Sequence, residues 1–361
     1  MSKLTMPTLS ITFQQRAKTA SARSKKGIVA LILRDAAADA EPLTYILSSA
    51  SQTVAVLGKD NQTAILRAFK GNVSPAKKVL VYVMAAAGKI TADCAALKWL
   101  SLQRFDYLAG PADLSADEAT AIETWIIARR EQDHAIYKAV LPNAIADHEG
   151  IVNFAASGIL VGDEDLSGAT YCGRMAGLIA GTPMTQSVTY AVLPEVTDID
   201  RMSNEEMNTA VGAGKLILLH DGEKVKVGRG VNSLTTLNDK DAVWQKIKLV
   251  ELLDMVQQDI RLLIQDSYIG KYANTYDNKL QLVTAISAYL QALAKDGLIE
   301  ADFTCGINVE AQAKWLQGNG TDITEMSEQE IKEAGTGTHV FLQLSIRPID
   351  AMEDVAVNIY L

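Results

Sequence analysis

Phe105-Asp106-Tyr107-Leu108-Ala109-Gly110-Pro111, then Ser115-Ala116-Asp117-Glu118 opening a run to Arg130, then Ile136-Tyr137-Lys138-Ala139-Val140-Leu141: this stretch decides the fold class. A short apolar strand stops at Gly110-Pro111. Ser115 is an N-cap candidate with Glu118 three residues on, the spacing of a capping box, so a helix follows. Ile136–Leu141 and Ile151–Phe154 are the next strands. Short apolar strands alternating with amphipathic helices argue for an α/β layer.

Toward the N-terminus, Gly27–Leu33, Leu43–Leu47, Val54–Leu57 and Val79–Met84 read as strands. A short helix with Ile65, Leu66 and Phe69 fits between the last two, and Asn72, Ser74 and Pro75 punctuate a turn. These elements predict a small β-rich domain over 25–90. A helix over Ala92–Leu102 then opens an α/β domain, 91–237. That domain holds a helix over Gly173–Gly181, with glycines every fourth residue on one face, where small residues let another backbone approach. It ends near a hairpin, Lys215–Leu219 with Lys224–Val227, about the Asp221-Gly222 turn.

The last third predicts an α+β domain, 238–346. Val243, Ile247, Val250, Leu253, Val256, Ile260 and Leu263 recur at helical spacing. Leu280–Ala294 is a second helix, ended by Asp296-Gly297. Gly306–Leu316 reads as a strand running into a helix, Ser327–Ala334 as a short acidic helix, and Val340–Ile346 as a strand stopped by Pro348.

Both flanks read as strand arms. Residues 1–24 form an arm and linker: Leu9, Ile11 and Phe13 alternate with Ser10 and Thr12, Pro7 blocks a helical start, and the polar, basic run 14–26 follows. Residues 347–361 form the other, with a flexible linker over 347–353. There Val355, Val357, Ile359 and Leu361 point one way and Ala356, Asn358 and Tyr360 the other. The partner of such a strand lies earlier in the chain or on another molecule, because an extended segment can add to an exposed sheet edge.

Composition narrows the class. At 361 residues the chain has room for two to three domains. A net charge of −9 with no basic face argues against nucleic-acid binding. Cys94, Cys172 and Cys305 are far apart and unpaired by spacing, as in a reducing compartment. No secretory h-region is present and the apolar runs fall short of the ~18 residues that span a bilayer, so synthesis in the cytoplasm without membrane insertion is expected.

No coherent catalytic chemistry emerges. Gly228-Arg229-Gly230-Val231-Asn232-Ser233 has Ser where a dinucleotide fingerprint needs a third Gly or Ala, lacks the helix that should follow, and reads as a turn or bulge. Gly212-Ala213-Gly214-Lys215 precedes a strand and lacks the hydroxyl residue of a phosphate loop. His148-Glu149 has Val152 where a zinc helix needs its second His. His134, His220 and His339 read as surface or locally bonded imidazoles, and Asp163-Glu164-Asp165 as a solvated turn. No catalytic, cofactor-binding or metal residue is expected.

The denser signals are motifs. They are Gly177-Leu178-Ile179-Ala180-Gly181-Thr182-Pro183-Met184-Thr185-Gln186-Ser187-Val188-Thr189-Tyr190, then Gly228-Arg229-Gly230-Val231-Asn232-Ser233-Leu234-Thr235. Asp259-Ile260-Arg261 leads to Tyr268-Ile269-Gly270-Lys271-Tyr272-Ala273-Asn274-Thr275-Tyr276-Asp277-Asn278-Lys279, and Asp350-Ala351-Met352-Glu353-Asp354 closes the set. In order and over nearly the whole chain, they resemble the contractile tail sheath proteins of myovirus-type phages. The likeness extends to the short sheaths of defective prophages and R-type phage-tail-like bacteriocins. Gly228, where the family has Ala, is a small departure.

The resemblance implies a small β-rich domain, an α/β domain of subtilisin-like topology and an α+β C-terminal domain. It implies no protease, since no Ser follows Thr182. It also implies a subunit of a helical stack of six-fold rings that surrounds a tail tube, meets baseplate and tail terminator proteins, and contracts to drive the tube through a bacterial envelope, without cofactor. Its arm strands would be Leu9, Ile11, Phe13 and Val355, Val357, Ile359, Leu361. The acceptor strand in a neighbour would carry Val340, Leu342, Leu344 and Ile346, and the helix with Glu330, Lys332 and Glu333 would touch the tube. The alternatives are an α/β enzyme of hydrolase or nucleotide-binding type and a non-contractile tube or shell protein.

Overall fold

The computed structural model describes residues 27–52, 54–238 and 240–360. They form two compact units, one of residues 27–252 with 350–360 and one of residues 253–349.

The first unit begins with β1 (Ile28–Arg34), β2 (Leu43–Leu47), α1 (Lys59–Phe69) and β3 (Lys78–Met84). It continues with α2 (Ala95–Ser101), β4 (Tyr107–Ala109), α3 (Ala116–Asp133), β5 (Lys138–Pro142) and β6 (Ile151–Phe154). Then come β7 (Ile159–Val161), β8 (Glu164–Leu166), α4 (Gly168–Ala180), α5 (Asn204–Gly212), β9 (Lys215–Leu216), β10 (Leu218–His220) and β11 (Val225–Val227). Seven strands make one sheet in the order β2-β3-β1-β4-β5-β6-β9, parallel except for β2.

The continuous apolar run of β1 explains its central place. Val29, Leu31 and Leu33 pack into one core, while Ala30 and Ile32 pack into another on the opposite face. A strand buried on both faces belongs inside a parallel sheet. Helices α1 and α4 supply Ile65, Phe69, Met175 and Ile179 to the first core; α2 and α3 supply Leu97, Leu100, Ile122 and Ile126 to the second. The Ser115–Glu118 capping box forms as the spacing predicts.

The glycine face of α4 also behaves as its spacing predicts. A Cβ at Gly177 would lie 2.1 Å from the Ala68 carbonyl oxygen, and one at Gly181 2.1 Å from that of Ser74. Only a hydrogen at these positions lets α4 lie directly against the backbone of α1 and the turn after it.

Two expectations fail here. The 25–90 stretch is no separate domain, because β1 pairs with β3 on one side and with β4 on the other, so the sheet runs through the expected boundary. Val54–Leu57 is no strand. The Leu57 N–H donates to the Val54 carbonyl in a turn, and the two side chains bury together while Val56 is exposed. The expected hairpin divides differently: β9 joins the large sheet, and only β10 and β11 pair about Asp221-Gly222.

Helix α6 (Ile247–Ser267) leads from the first unit into the second. The second unit continues with α7 (Tyr276–Lys295), β12 (Thr304–Ile307), α8 (Val309–Gly318), α9 (Glu328–Glu333) and β13 (Leu342–Ser345). The predicted long helix starts later than Val243: Ala242–Gln245 is a 3₁₀ turn, and extended Lys246 separates it from α6. Within the second unit α6 and α7 are joined by a buried polar contact, the Tyr289 hydroxyl donating to Asp259 at 2.8 Å. Strands β12 and β13 pair antiparallel as a two-stranded sheet. Among the described residues no helix is long and apolar enough to cross a membrane.

Candidate interaction sites: a terminal segment, an open edge and a carboxylate socket

Leu9, Ile11, Phe13 and Leu361 lie outside the described residues. Val355, Val357 and Ile359 form no strand here: residues 351–360 carry no regular secondary structure, and both sides of the alternation from 355 to 360 are exposed. A strand exists only as a ladder with a partner, and no described residue of this chain supplies one.

The expected acceptor strand is shorter than Val340–Ile346, with Leu342–Ser345 as its regular part and Val340 and Ile346 flanking it. Its register with β12 pairs Ile307 with Leu342, Gly306 with Gln343 and Cys305 with Leu344. One step further, the Asn308 N–H donates to the Phe341 carbonyl at 3.0 Å. Hydrogen-bonded pairs alternate along an antiparallel ladder, so Gln343 and Ser345 bond to β12 while the N–H and C=O groups of Leu342 and Leu344 point outward. Among the described residues no strand pairs with that edge. Val340 and Leu344 are exposed beside it.

Helix α9 is built from both ends. Ser327 and Glu330 close a capping box at its start. At its finish, where carbonyls lack helical partners, buried Gln312 donates to the carbonyls of Ile331 and Lys332, and Lys279 approaches the Ala334 carbonyl at 3.4 Å. Burial lowers the pKa of Lys279. Ile331 faces inward. Glu330 and Glu333 are exposed, Glu330 accepting the Ser327 N–H and Glu333 bonding Gln329; Lys332 pairs with Glu328 one turn away at 2.6 Å.

A further site lies where three of the sequence motifs meet in the first unit. Glu353 enters it with both carboxylate oxygens engaged. Oε1 accepts from the Ser187 hydroxyl at 2.9 Å and the Thr189 hydroxyl at 2.6 Å. Oε2 accepts from Lys246 Nζ at 3.2 Å and faces Arg229 Nε at 3.6 Å. Asp350 also pairs with Lys246, and Asp354 with Arg229. Burial opposes the charge on Lys246, but the bonds from Asp350 and Glu353 outweigh it and raise its pKa. The bond from Asp354 raises that of Arg229. The expected flexible linker over 347–353 is therefore a bonded segment. The Ile349 N–H donates to the Leu298 carbonyl at 2.9 Å within the second unit, and Asp350 onward is held within the first.

Local sequence shapes the socket. The Gly230 N–H donates to Thr189 Oγ1 at 2.9 Å, and the Thr189 N–H to Ser187 Oγ at 3.1 Å. With their oxygens so occupied, the two hydroxyls aim their protons at Glu353. A Cβ on Gly230 would lie 2.8 Å from Val188 Cγ2, so glycine keeps the pocket open. Nothing local to the motifs marks Ser187, Thr189, Arg229, Lys246 or Glu353 for a shared role. The available signal was an acidic run, Asp350 to Asp354, with an Arg between two glycines elsewhere in the chain.

The rings of His148, His220 and His339 have local partners. His148 Nδ1 accepts the Gly150 N–H at 2.9 Å and His220 Nδ1 that of Gly222 at 3.0 Å. His339 stacks on Phe341.

A mixed α/β fold with a parallel-dominated sheet and several small sheets is the fold of tail sheath proteins. A sheath tail protein from Listeria innocua superposes with a TM-score of 0.68 at 16% identity, covering 92% of this chain and 98% of that one. The helical sheath of the anti-feeding prophage in its contracted state gives 0.66 at 16% identity, covering 93% of each. The family model of the phage tail sheath protein central domain matches residues 85–233, and that of the phage tail sheath C-terminal domain matches 239–361. The tail sheath protein of Clostridium phage phiCD119 is 38% identical over 357 residues, 97% of this chain and 98% of that protein.

The chain belongs to the phage tail sheath family. It is a structural subunit of a contractile sheath, a component of a phage tail or tail-like particle, and the enzyme alternative gives way to that.

Proposed function

We propose that this subunit polymerises into stacked six-fold rings around a tail tube, between a baseplate and a tail terminator, and that contraction of the stack drives the tube through a bacterial envelope. The subunit is made in the host cytoplasm and engages neither nucleic acid nor lipid. Its sheet of residues 27–252 is the subtilisin-like domain, a reading supported by parallel strands between helices on both faces. Neighbouring copies are joined by strand addition. The arms at Leu9, Ile11, Phe13 and at Val355, Val357, Ile359, Leu361 pair with the strand carrying Val340, Leu342, Leu344 and Ile346 in another copy. Helix α9 faces the tube through Glu330, Lys332 and Glu333.

One observation carries this reading: an exposed, alternating segment without a partner among the described residues coexists with a strand edge whose backbone groups point outward. Energy stored at assembly would need joints that persist through the change of state, and backbone ladders meet that need without a nucleotide. Deleting residues 355–361 should leave a folded subunit that makes no sheath tubes by negative-stain microscopy. Normal tubes from that truncation would sink the strand-addition joint.

A further inference from the structure

We infer that the C-terminal arm is mounted instead of tethered, with Glu353 acting as a peg in the socket of Ser187, Thr189, Lys246 and Arg229. Accessibility along the segment singles it out. The Glu353 side chain is 5% exposed, whereas Met352 is 96% exposed and the Asp354 side chain 83%. Taking a lone carboxylate out of water is costly unless it is paired and hydrogen-bonded. This one is satisfied on both oxygens by two hydroxyls and two cations, while its neighbours project into solvent. An acidic linker that merely needed solubility would leave Glu353 outside with them.

Through its consequence this inference rests on the strand-addition joint. The donor strand starts two residues beyond the peg, so its origin is fixed on the first unit. From Glu353 to Leu361 an extended chain spans at most about 26–29 Å. An acceptor edge must stay within that radius of the socket in every state of the sheath. A free linker beginning at residue 347 would relax that limit.

Glutamyl endopeptidase tests the mount on the full chain in native buffer, because cleavage after Glu353 requires the peg to leave its socket. Thr189→Val and Lys246→Met remove one contact from each carboxylate oxygen. Each should speed cleavage after Glu353 by about 10–100-fold, since proteolysis tracks the open population. Cleavage after exposed Glu325 serves as the internal reference and should not change. Wild-type rates after Glu353 in both variants would overturn the mount. Faster cleavage combined with normal tubes would overturn its mechanical consequence. Failure of the strand-addition joint itself would show separately, as tubes formed without residues 355–361.

Discussion

Leu344→Pro tests the open edge of β13 one backbone group at a time. The register places the Leu344 N–H on the outer side, away from β12. Proline there removes no bond of the β12–β13 pair, and edge strands tolerate it for that reason. For an arriving arm the substitution is severe. Leu342 and Leu344 each offer one donor and one acceptor, about four bonds at ~0.5–1.5 kcal/mol net, or roughly 2–6 kcal/mol for the joint. Proline deletes one donor and leaves a carbonyl of the arm facing a ring instead of an N–H. That loss is about 2 kcal/mol, roughly 30-fold in the joint's equilibrium constant at 1.4 kcal/mol per decade. The critical concentration for tube formation, followed by sedimentation and negative-stain microscopy, should rise by a similar factor, with the subunit's melting temperature little changed. Gln343→Pro is the control, because that residue bonds to β12 and its replacement should lower the melting temperature. Assembly of Leu344→Pro at the wild-type critical concentration would refute the proposed seat of the arm.

Exchanging charges on α9 by Lys332→Glu with Glu333→Lys should abolish co-purification of tail tube with sheath, while unchanged recovery would remove α9 from the tube interface. Acid should weaken the first unit through Glu195. Burial favours its neutral form, but the Arg174 guanidinium at 2.5 Å and Lys70 at 3.0 Å outweigh that and hold its pKa at about 2. A pKa below the ordinary 4.5 means stability present above that value and lost as pH falls toward 2, on the order of 3 kcal/mol in all. Urea midpoints measured between pH 5 and pH 2 should fall steeply in wild type and less so in Glu195→Gln; parallel slopes would contradict the assignment.

The layered α/β class was legible because hydrophobic period and capping chemistry are local. The run Ile28–Arg34 is apolar on both faces, and Ser115 with Glu118 marks a helix start within four residues. The domain boundary was not legible, since nothing in Val79–Met84 reveals that β1 has a second parallel neighbour in Tyr107–Ala109. Parallel partners are set by long crossovers that sequence spacing does not encode. Val54–Leu57 misled because a short apolar run looks alike whether it pairs in a sheet or turns inward. The socket was invisible for a related reason. Glu353 meets Ser187, Thr189 and Lys246 across separations of 166, 164 and 107 residues. Read alone, Asp350 to Asp354 is an ordinary solvated acidic run.

The mount and the open edge belong to different units of one chain, and that division constrains how a joint could work. The socket lies in the first unit and β13 in the second. On the proposed joint, then, the first unit of one copy grips the second unit of another, and any strain passed along the arms must cross from unit to unit inside each subunit. The chain makes that crossing within α6, at Leu252–Leu253, and again at Ile349–Asp350. The first crossing lies inside helix α6. The second is bonded on either side, by Leu298 to Ile349 and by Lys246 to Asp350. Lys246 stands directly before α6 and, within the first unit, binds both Asp350 and Glu353. Removing its charge should therefore affect the joint more than removing Arg229, whose second partner, Asp354, is exposed and screened by solvent.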